Sequence, residues 1–235
     1  MIRRPVVAID GPAGAGKSTV TQRVADELGY LLVDTGALYR AVALAAQRAG
    51  VSWDAAPELG TLAYQLVEER AVELGNQKAN GFAVKLRGED VSLAIREPSV
   101  SQGASKVSAV PAVRDALLDM QRQAGASGGV VLEGRDIGTV VFPNAEAKFF
   151  LTASVDVRAR RRFDELVSRG GTPELAEVER EVAERDLRDS TRPIAPLKQA
   201  SDAHTIDSSA LSIDQVVARI VTRVREVEAE LGAHA

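Results

Sequence analysis

Residues 6–20, VVAIDGPAGAGKSTV, constrain this chain more than any other stretch, because they join an apolar run, a glycine loop and a helical pattern in a fixed order. Val6, Val7, Ala8 and Ile9 read as a buried parallel strand. After the loop, Val20, Val24, Ala25 and Leu28 recur at helical spacing, and Gly29 marks a stop. Between them runs the pattern G-x-x-x-x-G-K-S, from Gly11 through Pro12, Ala13, Gly14, Ala15 and Gly16 to Lys17 and Ser18, with Thr19 next. Such a loop turns backbone N–H groups inward around phosphate oxygens, at a helix end whose dipole favours negative charge. Lys17 is then placed to reach β- and γ-phosphates, and the Ser18 hydroxyl to ligate Mg²⁺. A plain glycine-rich turn is the alternative; the strand before it and the helix after it weigh against that reading.

The rest of the chain continues the same rhythm. YLLVDTGALYRAVALAAQRAG predicts a second strand and a helix from about Ala37 to Ala49, and VVLEGRD and AKFFLTA predict two more strands. Strands alternating with helices imply an α/β fold with a parallel sheet and sites at the strands' carboxyl ends. Thr205 and Ile206 before Asp207 mark a possible fifth strand, and SIDQVVARIVTRVREVEAELG a closing amphipathic helix. Residues 66–100 break the pattern: apolar and polar residues alternate around Asn76, Asn80-Gly81 and Gly88-Glu89-Asp90, which predicts a short antiparallel meander. Residues 157–192 are charged and helical, interrupted by Gly170, Gly171 and Pro173, and read as a hinged pair that forms a lid. The expected division is therefore a core of residues 1–65, 101–156 and 193–235, an insertion over 66–100 and a lid over 157–192.

Composition narrows the function classes. A formal net charge of −4 gives no electrostatic reason to expect nucleic-acid binding. The absence of cysteine removes disulfides and thiolate metal sites. No apolar run approaches membrane-spanning length, and MIRRP leads straight into a strand, so the expectation is a cytoplasmic protein without a membrane partner. Arginine outnumbers lysine 23 to 6, which suits bidentate phosphate recognition and equally suits a coding bias.

Four clusters carry the candidate acceptor chemistry. DTGALYR supplies Thr35 and Arg40, with Asp34 or Thr35 as a helix cap; Arg40 either holds an anion near the γ-phosphate or is a solvated surface residue. SKVSAVPAVR supplies Ser105 and Arg114, which can bind a base edge, though a surface helix offers the same residues. LEGRDIGTVVFP places Arg135 and Asp136 directly after a buried strand, as ligand groups or as a salt bridge within a turn. ERDLRDSTRP carries Arg185, Arg188, Asp189 and Arg192. The three arginines sit at i, i+3, i+7, a stripe that either closes over transferring phosphates or is neutralised by Glu184, Asp186 and Asp189 as a solvated face. An acceptor that is itself a phosphate needs several cations and no strong base, which agrees with His204 and His234 lying outside every motif. Kinases for other small acceptors, such as UMP, dTMP or shikimate, remain the rival enzymes. A GTP-binding switch is the rival from another class, and no N-K-x-D guanine-reading motif occurs.

With the loop, DTGALYR, EGRDIGTVVFP, ERDLRDSTR and APLKQASDA in this order, the chain resembles the bacterial cytidylate kinase family over about residues 5–225. The resemblance implies a three-layer P-loop NTPase core with a helical lid and a small antiparallel β insertion, using ATP and Mg²⁺ to phosphorylate CMP and dCMP; a monomer is the expected oligomeric state. It implies ATP contacts from Gly11 to Thr19, Arg40, Arg135 and Arg192 on phosphate, Ser105, Arg114 and Asp136 on cytosine, and Arg185 and Asp189 on the pentose. Lys17, Arg188 and Arg192 would act at the transferring phosphoryl group, Arg158 would lie over adenine, Thr35 would adjoin the acceptor and Ser18 would bind metal. Two positions depart from the pattern: Thr35 stands where the family often has Ser, and Ser18 where some members have Gly. Cytosine recognition also has a physical rationale, since its exocyclic amine donates to Asp136 while N3 and O2 accept from Arg114 and Ser105.

Overall fold

The computed structural model describes residues 4–78 and 81–233, omitting the side chains of residues 76–78, 81 and 82. Asn80 and His234 thus lie outside the described residues. In chain order the elements are β1 (Val6–Asp10), α1 (Lys17–Leu28), β2 (Leu31–Asp34), α2 (Thr35–Arg48), α3 (Ala56–Glu68), β3 (Val72–Lys78), β4 (Gly81–Leu86) and β5 (Glu89–Asp90). There follow a 3₁₀ turn (Ala94–Arg96), α4 (Pro98–Val107), α5 (Pro111–Gly125), β6 (Val130–Gly134), a π-helical turn (Ile137–Val141), β7 (Ala147–Thr152), α6 (Val155–Ser168), α7 (Leu175–Thr191), β8 (His204–Asp207) and α8 (Ile213–Ala233). Two compact units result, one of residues up to Val33 with Ala124 onward, the other Asp34–Gln123.

The first unit is built on a five-stranded sheet in the order β2-β6-β1-β7-β8. β1 pairs in parallel with β6 on one side and β7 on the other, and β8 extends β7 in parallel. Four of the five β1 residues and all five of β6 are buried, as near-continuous Val, Ile and Leu runs require when helices cover both faces of a sheet. The register sets Asp10 opposite Gly134, so the loops leaving β1 and β6 begin at the same sheet edge. That shared edge is what brings the glycine loop and the Arg135-Asp136 turn together. Around the sheet, α8 buries Val216, Val217, Ile220, Val221, Val224 and Val227, a stripe at three- and four-residue spacing. The pair α6 and α7 closes its own small core of Ala159, Val178 and Val182, flanked by Phe163 and Leu166. Gly170 in the left-handed region (φ 84°) and the Gly171 N–H bonded to the Leu166 carbonyl end α6, at the interruption visible in the sequence.

The second unit holds α2 to α5 and the antiparallel sheet β3-β4-β5 that the alternating pattern predicted. Leu38, Leu59, Leu66, Ile95 and Leu117 are its largest fully buried apolar side chains. Trp53 donates its indole N–H to the Ala43 carbonyl at 3.0 Å, and a Cβ at Gly103 would lie 2.4 Å from that ring. Glycine is therefore the residue that lets α4 approach Trp53. Arg48 on α2 reaches both Glu89 oxygens, at 2.7 and 2.9 Å, tying the helix to β5. Among the described residues no helix is long and apolar enough to cross a membrane.

Candidate active site

The glycine loop has the backbone that its spacing predicts. Gly11, Gly14 and Gly16 take φ values of 152°, 76° and 88°, a region closed to most side chains. Space enforces the same choice: a Cβ on Gly11 would sit 1.9 Å from the Leu151 carbonyl oxygen, and one on Gly14 3.0 Å from that of Arg158. Lys17 is buried at the start of α1 and donates Nζ–H bonds to the Gly11 and Pro12 carbonyls at 2.7 and 2.8 Å, which folds its ammonium over the loop. Burial first, then the charges of Arg135 and Arg185, push Lys17 well below the ordinary lysine value, while Glu133 and Asp10 oppose them.

Ser18 donates its hydroxyl to Glu133 Oε1 at 2.9 Å. Glu133 is buried within β6, and although it opens the EGRDIGTVVFP stretch, sequence reasoning gave it no role. Its signal was a single acidic residue in an otherwise apolar strand, opposite Ile9 in the register. Asp10 was passed over in the same way. Its two oxygens accept the Ile137 and Gly138 N–H groups, each at 2.8 Å.

The arginines of α6 brace the loop from behind. Arg158, 4% exposed, donates to the Ala153 carbonyl at 2.9 Å, the Ala13 carbonyl at 3.0 Å and Asp186 at 2.5 Å. Arg161, which sequence reasoning did not single out, donates to the Ser208 hydroxyl at 3.0 Å and carbonyl at 2.8 Å, and approaches the Ala15 carbonyl at 3.5 Å. Thr19 is exposed on α1.

The remaining candidates of this unit gather around Asp189. That carboxylate, buried on α7, accepts from Arg135 Nε at 2.9 Å and lies 4.0 Å from Arg185 Nε. Burial alone would raise its pKa, but Arg135, Arg185 and Arg192 outweigh it and hold the group below the carboxylate range. Arg135 is thus bonded to Asp189 of α7 rather than held only within its own turn. Asp136 accepts instead from Arg192 at 3.3 Å, with both side chains buried. Arg135 and Arg185 thus act on both Lys17 and Asp189, and Arg192 acts on Asp189.

One expected geometry is corrected. Arg192 does not continue the stripe of Arg185 and Arg188, because α7 ends at Thr191 and Arg192 is extended (φ −58°, ψ 140°). Pro193 follows it, and a residue before proline is driven out of the helical region. Its guanidinium turns to the Ala195 carbonyl at 2.6 Å and to Asp136. Arg188 stays on α7, half-buried. Of the proposed neutralising carboxylates, Asp186 pairs with Arg158 of α6, while Asp189 pairs with Arg135 and, at 4.0 Å, with Arg185 on α7 itself.

Thr35, Arg40, Ser105 and Arg114 belong to the second unit. Asp34 caps α2 by accepting the Ala37 N–H at 3.1 Å, and its other oxygen accepts from Arg40 at 2.5 Å. Cap and arginine anchor are the same residue. Thr35 is buried at the first turn. Ser105 and Arg114 sit on separate helices, α4 and α5, at 3% and 6% exposure, so the surface-helix alternative is overturned. Arg114 donates to the Ser108 carbonyl at 3.3 Å while Ser108 donates to the Ser105 carbonyl at 3.0 Å, which links the two candidates. The Arg114 guanidinium lies 5.5 Å from the Tyr39 ring centroid, and Gln121 reaches the Tyr39 hydroxyl at 3.4 Å.

Comparison with known proteins agrees with this chemistry. The family model described as cytidylate kinase matches residues 7–226. A cytidylate kinase of Geobacter sulfurreducens is 51% identical, covering 95% of this chain and 94% of its own, and one of Pelotomaculum thermopropionicum is 50% identical over 94% and 96%. A bifunctional pantoate ligase/cytidylate kinase of Synechococcus is 48% identical over 96% of this chain and 44% of its own. A crystal structure of an uncharacterized protein from Eubacterium ventriosum superposes with a TM-score of 0.53 at 12% identity, covering 95% of this chain and 99% of that one, a likeness of fold alone.

Proposed function

The chain belongs to the cytidylate kinase family, and on that premise we infer that it is a nucleoside monophosphate kinase that transfers the γ-phosphoryl group of ATP to CMP and dCMP. The observation that carries the reading is the cationic group at the glycine loop. Lys17 is buried at the loop with its Nζ held by the Gly11 and Pro12 carbonyls, and burial first, then the charges of Arg135 and Arg185, lower its pKa; phosphates from two nucleotides would stabilise its charged form.

ATP is held by the loop from Gly11 to Thr19, with Lys17 on the β- and γ-phosphates. Arg40, Arg135 and Arg192 bind phosphate, and Arg188 adjoins the transferring group from α7. Arg185 and Asp189 hold the pentose, Thr35 adjoins the acceptor, and Asp136, Ser105 and Arg114 read the cytosine edge. An oxygen of the acceptor phosphate attacks in line as ADP leaves, and the arginines balance charge on the equatorial oxygens throughout. The attacking oxygen is already anionic at neutral pH, so no side chain has to remove a proton. Arg158, whose donors brace the phosphate loop, adjoins the adenine side through α6.

The oxygen donors beside Lys17 fit a hard divalent cation such as Mg²⁺: the Ser18 hydroxyl and Glu133 carboxylate lie 2.9 Å apart. The Ser18 hydroxyl and Glu133 would hold the ion together with the nucleotide's phosphates. When bound, it would neutralise charge on the nucleotide's phosphates.

A coupled assay of ADP release, with ATP, Mg²⁺ and each nucleoside monophosphate in turn, tests the function. Turnover with CMP and dCMP above UMP and dTMP is expected. Preferential turnover of UMP would overturn the cytosine assignment. Folding, soluble partners and compartment follow the same reading: the substrates are small molecules, and a monomer acting in the cytoplasm meets every requirement of this chemistry.

A further inference from the structure

We propose that Asp10 is a positioning residue for the acceptor: from the end of β1, its carboxylate fixes the backbone that presents Arg135 and Asp136. The proposal rests on the reading of those two residues as acceptor contacts. Asp10 is 5% exposed, and both its oxygens are committed to backbone N–H groups, Oδ1 to Ile137 and Oδ2 to Gly138, at 2.8 Å each. These two amides follow Asp136 immediately and open the π-helical turn.

The first N–H groups of a helical turn have no partner within it, and the side chain of the preceding residue ordinarily accepts one of them. Asp136 occupies that preceding position and has the right chemistry, yet it makes no capping hydrogen bond. Its carboxylate accepts from Arg192 at 3.3 Å. Asp10, on the neighbouring strand, satisfies the orphaned amides in its place. The duty is thereby split between two carboxylates: Asp10 caps the turn, and Asp136 is engaged by Arg192.

The surroundings are shaped for this contact. A Cβ on Gly138 would lie 3.4 Å from Asp10 Oδ2 and 3.2 Å from the Lys148 side chain, so a glycine there lets the amide approach. Asp136 and Lys17 are the charged groups that act on the carboxylate, and neither replaces an amide bond. Both oxygens of Asp10 are engaged by the turn's backbone amides. It acts through the turn.

Asparagine at position 10 keeps the shape but offers only one acceptor oxygen, and turns an NH₂ toward the second amide. Steady-state kinetics of Asp10→Asn, with Asp10→Ala beside it, are read for ATP and for CMP separately. We expect KM for CMP to rise at least about fivefold, with KM for ATP within about twofold and a smaller preference for CMP over UMP in kcat/KM. Amide hydrogen exchange at Ile137 and Gly138 accelerates in Asp10→Asn while β1 and β6 stay protected. An equal rise in both KM values, or unchanged CMP kinetics and unchanged exchange at those amides, overturns the proposal. If the wild-type enzyme prefers another monophosphate, the cytosine reading fails, and the same KM split, measured with that acceptor, still decides the role of Asp10.

Discussion

A carboxylate sunk as far as Asp10 resists ionisation, and its protonation ties stability to pH. Burial pushes its pKa from 3.8 up to about 6, aided by Asp136, although the two amide bonds and Lys17 pull the other way. Because the folded value exceeds the unfolded one, the native state holds the extra proton, and this contribution is complete below about pH 4 and lost as pH rises through 6. About two pKa units correspond to about 3 kcal/mol. The stability of wild type relative to Asp10→Asn should therefore fall by about that much between pH 4 and 7 in urea titrations, and a parallel pair of curves would contradict it. Glu133 supports a different expectation. Glu133→Gln removes the carboxylate facing Ser18 and should raise the Mg²⁺ concentration for half-maximal turnover roughly tenfold at fixed ATP. The loop residues were legible because glycine at φ 76° and 88° leaves a spacing in the sequence. Asp10 and Glu133 were not, because each is one acidic letter in a strand and its partner lies 127 or 115 residues away.

At the scale of elements, α6 and α7 show where periodicity informs and where local chemistry overrides it. The break at Gly170-Gly171 was readable, since a left-handed glycine ends a helix whatever surrounds it. The stripe through Arg192 was not a stripe, although the proline after it was a usable sign. Helical spacing also does not say which carboxylate each arginine selects. Asp186 on α7 takes Arg158 of α6, which in turn donates to Ala13 of the phosphate loop. Cutting this tie with Asp186→Ala leaves a buried guanidinium short of a partner and should raise KM for ATP about three- to tenfold, with KM for CMP nearly unchanged. Initial-rate measurements with each nucleotide varied in turn check the split. Within the same pair, Val178→Ala opens space in a core of few side chains and should cost roughly 1–2 kcal/mol in chemical denaturation.

For the whole molecule, alternating strands and helices were enough to establish an α/β fold, but not the strand order. β6 lies beside β1 although about 120 residues separate them, and only the pairing of Val6 with Val130 through Asp10 with Gly134 levels their carboxyl ends. Ser105 and Arg114 show the same gap: their motif looked like one surface helix, whereas Pro111 starts a second helix and both side chains are buried. The division into units gives a molecular test of the assigned roles, because the ATP residues from Gly11 to Thr19 belong to the first unit and Thr35, Arg40, Ser105 and Arg114 to the second. Hydrogen exchange resolved by segment should therefore separate the ligands. A non-hydrolysable ATP analogue alone should slow exchange in the loop and the first turns of α1, leaving α4 and α5 near their free rates. CMP alone should slow exchange around Thr35–Arg40, at Ser105 and Arg114, and at Arg135-Asp136, because its ordering contacts are assigned there. Protection of α4 and α5 by the ATP analogue, with none from CMP, would exchange the two assignments and remove Ser105 and Arg114 from cytosine recognition.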